Sequence, residues 1–233
     1  MQTRTSASAA AHPPGWPMYR ALVGVGVICG LLIVTVFVVT LPVIARNEAA
    51  ALQAAVFDVL PGATAKASFV LTEDGGFRPA REGDDPRQTV HAGYDASGAL
   101  VGVAIPAQGM GYQDVIRILY GYSPQQQAIV GMQVLASKET PGLGDKIEKD
   151  PAFIANFQAL DVSLAADGQT LAHPIEAVKS GTKTGPWQVD GITGATISSK
   201  AIANMLRQSS AYWLPLLYPQ QAELAQGGGS DDQ

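Results

Sequence analysis

The sequence Asp190-Gly-Ile-Thr-Gly-Ala-Thr-Ile-Ser-Ser199 holds two glycines, four hydroxyl side chains and one carboxylate within ten residues. It lies directly before residues 200–213, whose composition predicts a helix that continues to about residue 217. A glycine-containing turn that leads into a helix gathers free backbone N–H groups at the positive end of the helix dipole. Such a position can bind a phosphate group. The same cluster is also typical of a plain Ser/Thr helix cap, so this stretch alone leaves both interpretations open.

A second glycine-containing loop lies about fifty residues upstream, with the sequence Ser137-Lys-Glu-Thr-Pro-Gly-Leu-Gly144. Two glycines and a proline fix an irregular backbone that can come close to a ligand. The loop follows a predicted strand, so the Glu139 carboxylate and the Thr140 hydroxyl are expected at the edge of a sheet. An ordinary connecting loop is the alternative interpretation of this composition.

The middle of the chain has the pattern of an antiparallel meander. Four alternating segments are predicted as strands: residues 89–94, 99–106, 115–122 and 128–136. Asp95-Ala-Ser-Gly98 and Ser123-Pro124 are the turns of the two hairpins. Weaker strands are predicted at residues 171–179 and 187–189, and a short helix that begins with Asp150-Pro151 is predicted over residues 151–160. The predicted fold class is α+β, with helices packed on an antiparallel sheet.

Residues 21–41 are almost wholly apolar, interrupted by two threonines and small glycines. A helix of about 20 such residues crosses the ~30 Å hydrocarbon core of a bilayer. The run has no polar face, which a buried soluble helix would show, and it is longer than the apolar core of a signal peptide. We therefore predict one uncleaved transmembrane helix over residues 21–45. Residues 47–60 are rich in helix formers and are expected to continue it until Pro61-Gly62.

The charges that flank the apolar run predict its orientation. Arg4 and Arg20 precede it, whereas Arg46 is followed closely by Glu48. The positive-inside rule then places the N-terminus in the cytoplasm. The resulting domain prediction is a cytoplasmic tail at 1–20, the membrane helix at 21–45, an extracytoplasmic domain at 46–217 and a disordered tail at 218–233.

Composition excludes several classes of partner and site. The formal net charge is −5 and no basic patch is present, so nucleic acid is not an expected partner. The only cysteine, Cys29, falls in the apolar run, which rules out a disulfide framework and a cysteine-ligated metal site. The three histidines are scattered without metal-ligand spacing. We expect no metal site and no catalytic side chain.

Asp58-Val-Leu-Pro-Gly-Ala-Thr64 repeats the spacing of Asp190 to Thr196, but Pro61 replaces Thr193. Proline lacks both the hydroxyl group and the backbone N–H. We interpret this segment as a helix terminator and not as a second ligand site.

Glu139-Thr-Pro-Gly-Leu-Gly144 followed by Asp190-Gly-Ile-Thr-Gly-Ala-Thr196, behind one membrane helix, resembles the FMN-binding domain of the G subunit of Rnf-type electron-transport complexes. The C subunit of the sodium-translocating NADH:quinone oxidoreductase shares the pattern. The resemblance covers roughly residues 41–213. It implies an electron-transfer subunit of an ion-translocating oxidoreductase acting between ferredoxin and NAD. It also implies other membrane and iron–sulfur subunits as partners, with the domain on the periplasmic side of a bacterial inner membrane.

In that family, a flavin transferase joins FMN through a phosphoester bond to the last threonine of Asp-x-x-Ser/Thr-Gly-Ala-Thr. The resemblance therefore places covalent FMN on Thr196, as an attachment site and not as a nucleophile in turnover. Asp190 is expected to cap the turn or to assist the transferase. The other implied cofactor-binding residues are Thr193, Gly194 and Ala195 in this motif and Glu139, Thr140, Gly142, Leu143 and Gly144 in the second loop. Gln113 and Asp114 replace a further glycine after Gly111-Tyr112, so Tyr112 is not assigned to the flavin.

Three other functions are compatible with parts of the sequence. One is that of the C subunit of the quinone reductase, and another is a membrane-anchored binding or regulatory module without a redox role. The third is a hydrolase with Ser198 or Thr196 as its nucleophile. The hydrolase is disfavoured because the sequence contains no Gly-x-Ser-x-Gly elbow and no histidine linked to either residue.

Overall fold

The computed structural model describes residues 15–81 and 83–226. The chain divides into two compact units, residues 1–49 and residues 50–233, which are described separately. Helix α1, Trp16–Val59, runs through the boundary between them. The apolar side chains of the part of α1 that lies in the first unit, residues 16–49, are exposed. By length and composition, α1 can cross a membrane. Residues 16–20 of the predicted tail already belong to this helix, and residues 1–14 lie outside the described part.

The second unit is an α+β domain, as predicted. Its strands are β1 (Ala65–Leu71), β2 (Phe77–Pro79), β3 (Thr89–Tyr94), β4 (Leu100–Met110), β5 (Val115–Ser123), β6 (Ala128–Ala136), β7 (Leu160–Asp161), β8 (Glu176–Val178) and β9 (Gln188–Asp190). Its further helices are α2 (Lys146–Lys149), α3 (Pro151–Ala155) and α4 (Thr196–Gln226). The sheet has the order β2-β1-β3-β4-β5-β6-β7 with every neighbour antiparallel, which confirms the meander. β8 and β9 form a separate parallel pair.

Three boundaries differ from the predictions because long-range contacts decide them. Helix α3 is capped by the Asp150 carboxylate as expected, but it ends at Ala155, and Leu160 instead pairs with Ile129 in the sheet. Helix α4 begins at Thr196 and extends to Gln226. The predicted disordered tail is therefore wrong for residues 218–226, where Leu224 is buried and its carbonyl accepts a 2.5 Å hydrogen bond from the Tyr94 hydroxyl.

The two faces of the sheet carry two separate apolar clusters, because successive side chains of a strand point to opposite faces. On one face, Ile105 of β4 and Tyr120 of β5 belong to the main core beneath α4. The Tyr120 hydroxyl lies 2.9 Å from the Ser209 Oγ in that helix. On the other face, Ala104 and Leu119 pack with the last turns of α1.

The end of α1 lies directly against glycine residues of the sheet. A Cβ atom on Gly121 would lie 2.0 Å from the carbonyl oxygen of Val59, and one on Gly131 would lie 2.6 Å from the same atom. The helix stops there, and Gly62 follows with a φ of 96°. The segment from Asp58 to Thr64 is thus a helix terminator, as predicted from Pro61.

The buried His91 of β3 gives the domain a pH dependence. Its Nδ1 lies 2.8 Å from the Ser68 Oγ, and burial lowers its pKa from 6.5 to about 4. Below pH 6.5, His91 therefore binds a proton in the unfolded chain but stays neutral in the folded chain. The free energy of unfolding thus falls as the pH falls. We expect His91 to contribute a loss of about 2 kcal/mol in unfolding free energy from about pH 7 to about pH 5.

Chemical denaturation of wild type and His91→Gln at several pH values measures this contribution as the difference between two curves. Carboxylates that titrate in the same pH range contribute equally to both curves, so their contribution to the unfolding free energy cancels in the difference. Parallel curves for the two proteins would contradict the assignment.

Candidate functional site

The motif at Asp190 connects β9 to α4 through a tight turn. The Ala195 N–H donates to the Ile192 carbonyl at 3.1 Å, and the Ser199 N–H donates to the Ala195 carbonyl at 3.0 Å. Gly194 adopts a φ of 87°, a conformation that side chains other than glycine rarely take. The turn thereby places Thr196 as the first residue of a long helix.

The first turn of α4 has free hydrogen-bond donors. Ala195 precedes the helix and has no hydroxyl to cap it. Within the described residues, the N–H groups of Thr196, Ile197 and Ser198 donate no hydrogen bond to a backbone carbonyl outside the helix. Ser199 does not cap them, because its Oγ donates to the Thr196 carbonyl and faces the Ile192 N–H. Free N–H groups at the positive end of a 31-residue helix form a site suited to an anion.

The hydroxyl residues of the motif differ in exposure. Thr193 and Thr196 are exposed, whereas Ser198 and Ser199 are buried. A modifying enzyme can therefore approach Thr193 and Thr196 from solvent, and of these two only Thr196 lies in the helix start.

Asp190 stabilises a neighbouring turn and does not face the helix start through its carboxylate. Its Oδ2 accepts from the Gly181 N–H at 2.8 Å, and its Oδ1 accepts from the Thr182 N–H at 3.3 Å. The capping role predicted for Asp190 therefore applies to the turn at residues 180–185. The backbone of Asp190 is held by Asn156, whose side-chain amide accepts from its N–H at 3.0 Å and donates to its carbonyl at 3.2 Å.

The structure brings the two sequence motifs together through the carboxylate of Glu139. This side chain is buried, and its Oε2 accepts a 2.5 Å hydrogen bond from the Ser198 hydroxyl. Its Oε1 accepts from the Gln113 N–H at 3.0 Å. Glu139 thus joins the second loop, the start of α4 and the β4–β5 connection.

Two glycines make room for that carboxylate. A Cβ on Gly111 would lie 2.5 Å from the Glu139 Oε1, and one on Gly144 would lie 2.6 Å from its Oε2. Gly144 of the second loop therefore serves the packing of Glu139, while Gly142 adopts a φ of 78° in the preceding turn.

The second loop turns back on the carbonyl of Thr140. That oxygen accepts from the N–H groups of Leu143 and Gly144 at 3.1 and 3.0 Å. The Thr140 hydroxyl donates to the Gln113 side chain at 3.1 Å. The loop leaves the Leu143 side chain exposed, so it is not part of the domain core.

Three residues adjacent in sequence to those that contact Glu139 have large apolar side chains that are more than half exposed. Tyr112 precedes Gln113, Leu143 precedes Gly144, and Ile197 precedes Ser198. They are exposed by 67%, 52% and 55%, respectively. An anion site next to exposed aromatic and aliphatic groups suits a ligand that has both a phosphate group and a flat ring.

The hydrolase interpretation of Ser198 is not supported by these contacts. The Ser198 hydroxyl is buried and engaged by Glu139. His173 instead stacks on Trp187 with ring centroids 4.0 Å apart. No histidine contacts Ser198 or Thr196 within the described residues.

Gln113 and Asn156 were not predicted as parts of the site, and Ser198 was considered only as a hydrolase nucleophile and not as a partner of Glu139. Gln113 contributes its backbone N–H, which no side-chain pattern reveals. Ser198 and Asn156 are polar residues in helical segments, where a solvated side chain is the usual expectation. Their buried hydrogen bonds become visible only when chain segments 59 and 34 residues apart are in contact.

Replacing Glu139 tests whether its carboxylate holds the second loop, the start of α4 and the β4–β5 connection together. Glu139→Ala leaves the Ser198 hydroxyl and the Gln113 N–H without their buried acceptor, and we expect a loss of about 2–3 kcal/mol in unfolding free energy. Glu139→Gln keeps the shape and one acceptor oxygen, so its loss is expected to be smaller. Denaturant titration of the purified full chain in detergent measures both values.

The matched control for Glu139→Ala is Lys138→Ala, which removes only an exposed ion pair with Asp114. Equal stability of Glu139→Ala and Lys138→Ala would show that the carboxylate does not hold the junction.

Comparison with known proteins identifies the family of this domain. Residues 111–210 match the family of FMN-binding domains, a range that includes both motifs. The G subunit of the ion-translocating oxidoreductase complex of Methanosarcina acetivorans is 36% identical over 148 residues, which cover 61% of this chain and 70% of that protein. The G subunit of the proton-translocating ferredoxin:NAD(+) oxidoreductase complex of Clostridium ljungdahlii is 28% identical over 109 residues, 47% of this chain and 51% of that protein. The chain spans about half the length of most of the curated relatives it matches.

A solved structure has the same fold. The C subunit of the Na(+)-translocating NADH-quinone reductase from Parabacteroides distasonis superposes with a TM-score of 0.58 at 20% identity, covering 76% of this chain and 96% of that one. The relatives from Methanosarcina and Clostridium that are similar in sequence, however, are G subunits. The resemblance inferred from the two motifs is therefore confirmed at the level of family, and the chain belongs to the family of G subunits of ion-translocating oxidoreductase complexes, with its FMN-binding domain.

Proposed function

We propose that this chain is the electron-transfer subunit of a membrane-bound, Rnf-type oxidoreductase complex and that it carries FMN covalently on Thr196. The observation that supports this most strongly is the start of α4, where an exposed threonine lies among free backbone N–H groups. In the attachment step, a flavin transferase brings Thr196 to a flavin dinucleotide, and the threonine oxygen displaces the nucleoside monophosphate from the flavin-bearing phosphorus. The Thr196 Oγ–P bond forms, the diphosphate P–O bond breaks, and the hydroxyl proton is released. When bound, FMN supplies a ring system that accepts and releases one or two electrons.

The residues of this chain have distinct roles toward that cofactor. The N–H groups of the first turn of α4 stabilise the charge of the phosphate. Gly194 is exposed and has no side chain, which allows the nucleotide to lie near the backbone, whereas the Ala195 methyl group is buried in the main core. Glu139 fixes the second loop relative to Ser198, and the exposed Leu143 is available to shield the ring from water.

The complex-level role requires partners and a membrane. Iron–sulfur clusters are held mainly by cysteine thiolates, and the only cysteine of this sequence lies in the apolar helix. We propose that other membrane and iron–sulfur subunits exchange electrons with ferredoxin and NAD, the pair named for the Clostridium relative. We further propose that α1 anchors the chain in a bacterial inner membrane, with the N-terminus in the cytoplasm and the domain in the periplasm. A covalent bond prevents loss of a flavin that could not readily be replaced there.

The first test is a denaturing gel of the full chain, expressed with and without a flavin transferase and viewed under ultraviolet light. We expect a fluorescent band only with the transferase, because a covalent flavin survives denaturation. A dark band in the presence of an active transferase would contradict covalent attachment and favour a non-redox module.

A further inference from the structure

The ammonium group of Lys146 lies beside the turn that precedes Thr196. A Cβ atom on Gly194 would be 3.9 Å from the Lys146 Nζ. Lys146 is the first residue of α2, directly after the second loop. A cation from one motif therefore meets the backbone of the other, two residues before the proposed attachment site.

Lys146 has no carboxylate partner among the described residues. The carboxylate of the neighbouring Asp145 forms an ion pair with the Lys149 Nζ at 2.6 Å and accepts a hydrogen bond from the Gly142 N–H at 2.7 Å. The buried Glu139 carboxylate is bonded to Ser198 and Gln113. The acidic groups nearest in sequence are thus either engaged elsewhere or, like Glu148, exposed to solvent. An ammonium group of a partly buried lysine that lies beside a turn, without an anion, is a position where an anionic ligand gains from binding.

We propose that Lys146 is the counter-ion of the phosphoester on Thr196. This inference rests on the proposed function. A phosphate esterified to both the flavin side chain and the threonine keeps one negative charge at neutral pH. The N–H groups of α4 face that charge from the helix side, and the Lys146 ammonium, 3.9 Å from the Cβ position of Gly194, adds a full positive charge.

The test compares thermal unfolding of the full chain in detergent, with and without attached flavin, for wild type and Lys146→Ala. We expect attachment to raise the melting temperature of the wild type, because it gives Lys146 a partner. Lys146→Ala is expected to lose at least half of that rise and to melt like the wild type when flavin is absent. Lys146→Arg keeps the charge and should keep most of the rise. High salt should reduce the wild-type rise, since the pair is partly exposed.

Lys149→Ala is the matched control on the same helix. It removes the ion pair with Asp145 in both states, so it should leave the rise on flavin attachment unchanged. An equal rise in wild type and Lys146→Ala, or no rise in the flavin-carrying wild type, would overturn the counter-ion assignment alone. A wild-type chain that takes up no flavin from an active transferase would overturn the proposed function as well.

Discussion

Thr196→Ala is expected to lose all covalent flavin, so that its band in a denaturing gel is as dark as that of chain produced without transferase. The variant removes the oxygen on which we propose that the phosphoester forms, while alanine is an excellent residue for the first turn of a helix. Because Thr196 is exposed, the fold should not change. In membranes that contain the whole complex, ferredoxin-dependent NAD reduction should fall to background for the same reason.

Two variants separate attachment from recognition. Thr196→Ser keeps a hydroxyl at the helix start and should retain measurable fluorescence. Thr193→Ala removes the other exposed hydroxyl of the motif and should lower the yield without abolishing it, since Thr193 belongs to the recognised turn and not to the bond. A fluorescent Thr196→Ala band would contradict attachment at Thr196. If the Thr193→Ala band were dark in the same experiment, Thr193 would be the attachment site instead.

Gly121→Ala is expected to cause the largest loss of stability of any single methyl group added to this domain. Its Cβ would lie 2.0 Å from the carbonyl oxygen of Val59 and 2.8 Å from the carbonyl carbon. Both atoms are backbone, so the end of α1 must move away from the sheet and expose Leu60 and Leu119. We expect a loss of about 3 kcal/mol or more in unfolding free energy, at the upper end of overpacking effects.

Gly76→Ala is the matched control, because its Cβ would meet only the Thr72 Oγ1, at 3.4 Å. Denaturant unfolding of both variants in detergent, followed by tyrosine and tryptophan fluorescence, gives the comparison. If Gly121→Ala unfolds at the same denaturant concentration as Gly76→Ala, the close contact between α1 and the sheet is not present in solution.

Local turn chemistry explains how much of this fold the sequence could predict. Asp95 to Gly98 forms the expected hairpin turn, with the Asp95 carboxylate accepting from the N–H groups of Ser97 and Ala99. Pro61-Gly62 ends α1 close to where its composition predicts. These features depend on residues within about four positions of one another, so a single sequence contains the necessary information.

Features that depend on distant segments were not predictable in the same way. Strands β1 and β2 were not predicted from the sequence, although β1 pairs with β3 over six residue pairs. The last part of α4 contains Pro219 and polar residues, which favour a tail, but burial of Leu224 against the sheet overrides that local preference. Tertiary packing commonly decides such cases, because most helical stability in proteins comes from an apolar face that packs.

The candidate site could likewise be predicted only in part. The glycines, the threonines and Glu139 were identified from their motifs alone. The contacts that make one site of them, from Glu139 to Ser198 and from Asn156 to Asp190, required the folded chain. The position of Lys146 beside Gly194 also follows only from the approach of the two loops.

The central claim is that Thr196 carries the flavin, and peptide mass spectrometry tests it most directly. The full chain, expressed with a flavin transferase, is digested with protease and its peptides are fragmented. We predict that the peptide containing Thr196 gains the mass of FMN less one water, and that the fragments assign this mass to Thr196. The same mass on Thr193, Ser198 or Ser199, or only unmodified peptide from a transferase-containing preparation, would contradict the claim.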